Sequence, residues 1–440
     1  MSHEELLQRH RQVMPSWLAL YYDNPIELVS GQGRHVTDRE GREYLDFFGG
    51  ILTTMTAHAL PDVVEAVQEQ AARILHTSTL YLCESQVALA EEIARLCPWP
   101  DTKVFFTTSG TEANEAALLL ASTARRSNQV LALRNSYHGR SFATMAITGN
   151  RGWSASSLSP VNVSYVHGGF RFRSPFADRD DAGFIAACVD DLENILATTT
   201  AGDVACLIAE PIQGVGGFTH PPDGLLAEFR KVLDAHGILL IADEVQTGWG
   251  RTGETFWGYE AHGVTPDMIT FAKGIGNGLS LAGVAAPAHL MDNLPANSIS
   301  TFGGNPLATA GGLANLRYVL NNDLQGNARV RGEQLFARVR EAVGDLPMIG
   351  DIRGKGLMLG LDLVKPGTTE PDPAAAGQVL EAAREAGLLI GKGGLYGNVL
   401  RVAPLLTVTE EEIEQGADTL IAALRRVAGV ETAPSSSATA

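Results

Sequence analysis

Short apolar runs alternate with amphipathic stretches through the middle of the chain. Each run has the length of a buried strand, and the runs lie at 103–107, 129–133, 204–209, 238–242 and 268–272. Helical patterns separate them, rich in alanine and leucine after 110 and present again at 223–235. This alternation predicts an α/β fold with a mostly parallel sheet covered by helices on both faces. Ligand chemistry is then expected at the carboxyl ends of the strands.

The two ends of the chain carry other patterns. Near the N-terminus, 34–38 and 43–47 flank a turn signal and predict a hairpin, and helices are predicted at 61–74 and 85–96. Toward the C-terminus, an α+β layer is predicted with strands at 357–363, 388–391 and 399–402. We therefore predict an N-terminal arm with part of a small domain (1–75), a large domain (76–326), the rest of the small domain (327–430) and a disordered tail (431–440).

An acid and a lysine stand at the ends of two of the predicted strands. Asp243 follows 238–242 and Lys273 follows 268–272, so both side chains can meet above one sheet. A buried structural ion pair is one interpretation, since such pairs also perturb pKa values. Two features favour catalysis: the glycine-rich segment 274–278 allows a ligand close to the backbone, and the chain has only six lysines.

A second candidate site follows the strand at 103–107. Ser109, Gly110 and Thr111 stand there at the start of a helix, where bare N–H groups bind anions. A capped helix with Thr111 at the cap explains the same residues equally well. The chain has neither a GxxxxGK[ST] loop nor a strand-borne GxGxxG motif, which disfavours nucleoside triphosphate and dinucleotide sites.

The segments IADEVQTGWGRTG and FAKGIGNG resemble the signatures of the class III (omega-type) pyridoxal-phosphate aminotransferases. The resemblance covers about 20–428 and implies fold type I, with a large domain and a smaller α+β domain built from both termini. It also implies pyridoxal 5'-phosphate as cofactor. In that family the lysine forms the Schiff base, the aspartate pairs with the pyridine nitrogen and the glutamine reaches the phenolic oxygen. These roles fall on Lys273, Asp243 and Gln246.

The same resemblance assigns the rest of the cofactor site. It makes Ser109, Gly110 and Thr111 ligands of the phosphate, and it stacks Tyr137 on the cofactor ring. Thr301 is implied to reach the phosphate of a neighbouring subunit, and hence a homodimer with shared active sites. Taken alone, Thr301 would be a cap or turn residue.

Substrate-binding residues are implied in the same way. Ile51 and Leu52 would line the pocket, and Arg401 would bind a substrate carboxylate. Glu210, at the end of 204–209, is implied to pair with Arg401 by a salt bridge that opens when a carboxylate arrives. Two departures are visible: Ala403-Pro404 replaces the usual double proline, and Ala57–Pro61 replaces a Gly-His-x-His-Pro element, which makes His58 structural in our interpretation.

The GGIL, ILHTSTLY and AGLLIGKGGLYGNVLRVAP segments look most like the alanine–glyoxylate type 2 branch. The expected reaction is ping-pong transfer of an amino group from alanine, β-alanine or a similar donor to glyoxylate or pyruvate. Another reaction of the same cofactor is an alternative (aminomutase, decarboxylase, racemase or phospho-lyase), because fold and cofactor do not fix which bond breaks. A non-catalytic scaffold is a further alternative, against which the intact Lys273 and Asp243 speak.

The composition of the chain excludes several classes of binding partner. The formal net charge of -17 argues against nucleic acid and against an anionic membrane, since both attract basic surfaces. The four cysteines show neither CxxC nor zinc spacing, so they predict reduced thiols and no metal site. The charged N-terminus has no apolar signal core, and no apolar run is long enough to span a membrane. Together these features predict a cytoplasmic protein whose partners are small molecules, and the resemblance adds a second copy of the chain as partner.

Overall fold

The computed structural model describes residues 2–430, so the predicted disordered tail at 431–440 lies outside the described residues. The strands are β1 (Leu28–Gln32), β2 (His35–Asp38), β3 (Glu43–Asp46), β4 (Thr102–Thr107), β5 (Gln129–Leu133), β6 (Asn162–Val166), β7 (Cys206–Ala209), β8 (Leu239–Asp243), β9 (Met268–Phe271), β10 (Ala282–Pro287), β11 (Ile349–Lys355), β12 (Met358–Leu363), β13 (Leu388–Leu389), β14 (Gly391–Gly393) and β15 (Val399–Val402).

The helices are α1 (His3–Val13), α2 (Gly49–Leu52), α3 (Pro61–Arg73), α4 (Glu84–Arg95), α5 (Gly110–Arg125), α6 (Phe142–Ala146), α7 (Asp181–Thr198), α8 (Leu225–His236), α9 (Ala288–Met291), α10 (Pro306–Asn321), α11 (Leu324–Val343), α12 (Pro373–Glu385) and α13 (Glu410–Ala428). Short 3₁₀ helices lie at Arg151–Trp153, Gly258–His262 and Lys273–Gly276. None of these described helices is long and apolar enough to cross a membrane.

A seven-stranded sheet in the order β4-β10-β9-β8-β7-β5-β6 forms the centre of the molecule. Its strands run parallel except β10, which pairs antiparallel with both β9 and β4. The predicted mostly parallel sheet is confirmed. β6, however, was not among the predicted strands. This edge strand is only half-buried, so its sequence lacks the continuous apolar run of the inner strands.

Helices cover both faces of this sheet, as the alternation along β5 shows. Leu131 and Leu133 point into the cluster that holds the buried side of α7 and α8. Val130 and Ala132 point to the opposite face, where the alanines and leucines of α5 pack. All five residues of β5 are buried, because successive side chains face opposite layers that are both apolar.

Two four-stranded sheets flank the central sheet, in the orders β1-β2-β3-β13 and β11-β12-β15-β14. β3 and β13 pair in parallel, with Leu45 opposite Leu388, so this sheet joins the two ends of the chain. The predicted single strand at 388–391 is wrong: it is divided into β13 and β14, which belong to different sheets. β1 and β11 were not predicted, since β1 is mostly exposed and β11 only partly buried.

The segment α2 is a left-handed turn. The φ angles of Gly49, Gly50, Ile51 and Leu52 are 54, 58, 69 and 59°. Glycine adopts this conformation freely, but each side-chain-bearing residue costs roughly 1–2 kcal/mol. Asp46 supports the turn because its carboxylate accepts hydrogen bonds from Phe48 N and Gly49 N, each at 2.9 Å.

His58 completes this support from the other side of Asp46. Its Nε2 lies 2.8 Å from the second oxygen of the Asp46 carboxylate. His58 also forms an antiparallel bridge with Gly33. These contacts agree with the structural role expected for His58.

Close packing at one helical glycine generates a stability prediction. A Cβ at Gly332, in α11, would lie 2.4 Å from the carbonyl oxygen of Gly356, whereas a Cβ at Gly377, in α12, would meet nothing within 4 Å. We expect Gly332→Ala to destabilise the fold by about 1–3 kcal/mol through overpacking. Gly377→Ala should stabilise it by about 0.5–1 kcal/mol through helix propensity. Denaturant midpoints of the two variants test this, and equal shifts would contradict it.

Candidate active site

Asp243 ends β8, and its buried carboxylate has three partners. Oδ2 accepts a hydrogen bond from Asn114 Nδ2 at 2.8 Å and lies 2.7 Å from His138 Nδ1, while Oδ1 accepts from Val245 N at 3.2 Å. Asp243 is 3 % exposed, and the His138 side chain is fully buried. A buried carboxylate requires such partners. The acid is therefore held in one orientation at the strand end.

Asn114 ties this carboxylate to two further elements. Its Nδ2 also donates to the carbonyl oxygen of His138 at 2.9 Å, and its Oδ1 accepts from Thr270 Oγ1 at 2.7 Å. Thr270 stands opposite Asp243 in the register of β8 and β9. One network therefore joins α5, β8, β9 and the loop after β5.

Sequence reasoning did not single out Asn114 or His138. Asn114 and His138 lie close to residues that were assigned roles from the sequence, namely 109–111 and Tyr137, but they were not assigned roles themselves. The available signal was spacing: Asn114 lies one helical turn after Gly110, so both face the same end of the sheet.

Lys273 follows β9 in a left-handed conformation, with φ 48°. Gly274 next to it packs against Met55, whose Sδ would lie 2.5 Å from a Cβ at that position. Burial lowers the pKa of Lys273 to about 8, although the Asp243 and Glu210 charges favour its ammonium form. Within residues 2–430, Asp243 forms its close ion pair with His138 and not with Lys273. The acid and the lysine thus lie near each other, as predicted, without neutralising each other directly.

The start of α5 lies against the same strand ends. A Cβ at Gly110 would be 3.2 Å from Val245 and 3.6 Å from Ala272, the residues near Asp243 and Lys273. Ser109 is the N-cap, accepting from Glu112 N at 3.2 Å. The alternative with Thr111 at the cap is therefore wrong; Thr111 Oγ1 accepts instead from Arg140 N, also at 3.2 Å.

Tyr137 and Glu210 are joined at the end of β7. Glu210 accepts from Tyr137 N at 2.8 Å through one oxygen and from Gly214 N at 2.9 Å through the other. Burial raises the pKa of Glu210, and the Asp243 carboxylate adds to this rise. The Tyr137 ring packs edge-on against Trp153, with centroids 5.5 Å apart.

Gln246 lies beneath Gly214. A Cβ at Gly214 would be 2.2 Å from the Gln246 side-chain amide, so glycine is required there. Gln246 Oε1 is buried and has no hydrogen-bond partner among the described residues. A buried amide oxygen of this kind is completed by a ligand or a solvent molecule.

Arg401 enters this region from β15. Its guanidinium donates to Gly214 O at 3.3 Å and to Lys392 O at 3.1 Å. The rings of Phe48 and Phe218 lie 5.0 and 5.7 Å from it. Among the described residues, the direct salt bridge between Glu210 and Arg401 is not formed. The backbone of Gly214 separates them, because its N–H donates to Glu210 and its carbonyl accepts from Arg401.

Of the remaining predicted site residues, one lies in the core and two are exposed at the surface. Leu52 is 2 % exposed and packs among Phe48, Phe218 and Met358, whereas Ile51 is 46 % exposed. Thr301 is exposed on the loop between α9 and α10. It neighbours Phe302, which is 61 % exposed.

The sequence model described as "Aminotransferase class-III" matches residues 20–424. The chain belongs to the class III aminotransferase family. It is 37 % identical to alanine–glyoxylate aminotransferase 2 homolog 2 of Arabidopsis thaliana, over 94 % of this chain and 86 % of that protein. It is 39 % identical to the 5-aminovalerate aminotransferase DavT of Pseudomonas putida, over 94 % of this chain and 96 % of that protein.

The same family is evident in three dimensions. A thermostable (S)-enantioselective omega-transaminase from Thermomicrobium roseum superimposes with a TM-score of 0.90 at 30 % identity, covering 97 % of this chain and 99 % of that one. The molecule is therefore an aminotransferase with the fold type I architecture, as the sequence motifs predicted. Members of this family depend on pyridoxal phosphate.

The lowered pKa of Lys273 generates a prediction about the cofactor-free protein. With its pKa at about 8, Lys273 is half unprotonated near that pH, whereas an ordinary lysine reaches that point near about 10.4. Because the free amine is the nucleophile, labelling of Lys273 by an amine-reactive reagent should rise up to about pH 9 and then level off, whereas labelling of an ordinary lysine should keep rising to about pH 11. Peptide mass mapping measures the rate, with the exposed Lys365 as internal control. Parallel pH profiles for the two lysines would contradict the assignment.

Proposed function

We propose that this aminotransferase holds pyridoxal 5'-phosphate at the carboxyl ends of β8 and β9, with Lys273 and Asp243 as its catalytic residues. The observation that carries the proposal is the Asp243 network beside a lysine of lowered pKa. A carboxylate held in one orientation by Asn114 and His138 suits a protonated pyridine nitrogen, and an amine of lowered pKa suits both nucleophilic attack and proton transfer.

Other features support the fit of this cofactor. The N-terminus of α5 offers backbone N–H groups and two hydroxyls to a phosphate. The buried, unpartnered Gln246 Oε1 offers a polar contact to a ring substituent. The proposed cofactor-binding residues are Ser109, Gly110, Thr111, Tyr137, Glu210, Asp243, Gln246, Lys273 and Thr301.

When bound, the cofactor supplies an electron sink and carries the amino group between the two half-reactions. Lys273 Nζ would take a proton from the carbon that carries the amine of the donor in the first half-reaction, and would give a proton to the carbonyl carbon of the acceptor in the second, since its lowered pKa lets it act as both base and acid near neutral pH. Asp243 stays fixed as the counter-charge. Tyr137, held by Glu210 through its backbone N–H, provides a flat ring at the wall of the site.

For the substrates, we propose donors such as alanine, β-alanine or an omega-amino acid, and glyoxylate or pyruvate as acceptor. The support is the identity to an alanine–glyoxylate aminotransferase 2 homolog and to a 5-aminovalerate aminotransferase, at 37 and 39 %. Arg401 would bind the substrate carboxylate, and Glu210, Ile51 and Leu52 would shape the pocket. A carboxylate-binding arginine close to Lys273 is what an amino-acid substrate requires.

For the assembly, we propose a homodimer with shared active sites. Each subunit would consist of a large domain (76–326) and a small domain built from both ends of the chain (1–75 and 327–430). The support for the dimer is exposed apolar surface: Leu80, Tyr81 and Leu82 are 69, 69 and 99 % exposed, and Phe302 beside Thr301 is 61 % exposed.

For the compartment, we propose the cytoplasm. The support is that the four cysteines are free thiols, as is usual in a reducing environment.

A half-reaction tests the function directly. The enzyme loaded with pyridoxal phosphate and mixed with alanine, without an acceptor, should form one equivalent of pyruvate and lose the visible absorbance of its cofactor. Lys273→Ala should form none, because the proton carrier is missing. Release of ammonia or carbon dioxide from alanine in place of the oxo acid, or of phosphate from phosphoethanolamine in a parallel reaction, would assign the chain to another reaction of the cofactor. No change with any amine donor would indicate a non-catalytic scaffold.

Sharing of the site generates a separate prediction. If Thr301 reaches the phosphate across the subunit interface, Thr301→Ala should weaken cofactor retention by the ~1.5–3 kcal/mol of a hydrogen bond to a charged group. The dimer itself should persist. Dialysis against buffer and sedimentation measure the two effects, with Thr368→Ala, on a remote exposed turn, as matched control. A fully loaded, active monomer would contradict shared sites.

A further inference from the structure

The guanidinium of Arg401 is closed off from solvent. Arg401 is 4 % exposed, and its Nε is buried without a hydrogen-bond partner among the described residues. Gly393 lies directly over this atom, since a Cβ there would be 2.8 Å from Nε. A carboxylate binds an arginine best through two parallel N–H donors, and one of the donors here is covered. Part of the cover has to move before a substrate carboxylate can bind.

Tyr21 shares its contacts with Arg401. Its hydroxyl donates to Lys392 O at 3.2 Å, and the same oxygen accepts from Arg401 at 3.1 Å. The hydroxyl also accepts from Lys392 N. Its ring stacks on Phe48 at 5.8 Å, on which Arg401 also lies. Both groups therefore share one acceptor and one aromatic surface.

Tyr21 differs from the other covering residues in its exposure and its place in the chain. It is 42 % exposed, whereas Phe48 and Phe218 are 7 and 0 % exposed. It lies between α1 and β1, in a segment without helix or strand that also exposes Trp17 and Leu18. Such a segment moves at lower free energy than a residue of the packed core.

We propose that Tyr21 is a gate on Arg401: its phenol rests against the arginine when no carboxylate is bound and moves away when a substrate carboxylate takes its place. This rests on the proposed role of Arg401. Tyr21, and not Glu210, is then the residue that shields the arginine while a donor without a nearby carboxylate is in the site. Tyr21 determines specificity because its displacement is required only by carboxylate-bearing substrates.

The contacts of Glu210 support this division of roles. Both of its oxygens accept hydrogen bonds from backbone N–H groups, so pairing with Arg401 would leave two buried donors without partners. Moving Tyr21 frees the Lys392 N–H and uncovers one side of the guanidinium, so an arriving carboxylate can accept from both. The exchange with the phenol leaves the Lys392 N–H partnered and Lys392 O still bonded to Arg401, whereas the exchange with Glu210 leaves two buried donors without partners.

The test uses propionate, a carboxylate without an amine, and its binding to the cofactor-loaded enzyme by calorimetry. Tyr21→Phe keeps the ring and removes the hydroxyl, so propionate should bind roughly 3- to 10-fold more tightly, as expected for losing one competing hydrogen bond. Tyr22→Phe is the matched control, since Tyr22 packs edge-on against Tyr21 and under Arg384 rather than at Arg401. Unchanged or weaker binding in Tyr21→Phe would overturn the gate.

A further variant separates this proposal from the one it rests on. Arg401→Gln should abolish propionate binding, both in the parent sequence and when it is combined with Tyr21→Phe. Propionate binding that survives Arg401→Gln would refute the role of Arg401, whatever Tyr21 does. Loss in Arg401→Gln together with no effect of Tyr21→Phe would refute the gate alone.

Kinetics of the two half-reactions give an independent readout. Tyr21→Phe should lower KM for pyruvate by a similar factor, while KM for a carboxylate-free amine such as 1-phenylethylamine stays within error. If Tyr21→Phe only disturbed the structure of the site, KM would change in the same way for both substrates. Equal changes for the two would therefore also overturn the gate.

Discussion

The burial of the Asp243 carboxylate is the constraint on which the rest of the site depends. A charge removed from water must be compensated by fixed partners, and here they come from separate parts of the chain: Asn114 on α5, His138 after β5 and Val245 beyond β8. Thr270 on β9 joins through Asn114. The relative positions of strand ends, helix and loop are thereby fixed by one carboxylate, and Lys273 is placed next to it by the same strand.

Glycine at close approaches makes this convergence possible. Gly214 is pressed against Gln246, its N–H donates to Glu210 and its carbonyl accepts from Arg401, so a single residue separates the carboxylate from the guanidinium. Gly110 brings the start of α5 against Val245. A side chain at either place would push apart elements that must meet. The site is therefore assembled by backbone proximity as much as by the reactive side chains.

The sequence was informative wherever the signal was local. Continuous apolar runs identified the inner strands β5, β7, β8 and β9, and the strand-end positions of Asp243 and Lys273 followed from them. The edge strand β6 was not predicted because its partial exposure removes the apolar pattern. The division of 388–391 into two strands was not predicted because the sheet to which a strand belongs depends on partners distant in sequence. The same holds for His138 and for the unformed Glu210–Arg401 pair: which group satisfies a buried charge is decided by tertiary contacts.

The pairing of β3 with β13 has a consequence for biosynthesis. Leu45 and Asp46 emerge from the ribosome early, but their partners Leu388 and Leu389 emerge only near the end of translation. The central sheet, whose strands lie between Thr102 and Pro287, is complete long before that. The early hairpin must therefore wait, with one edge unpaired, until almost the whole chain has been made. Closure of the region around Arg401 is consequently a late event, and a chain truncated before β13 keeps that edge open to wrong partners.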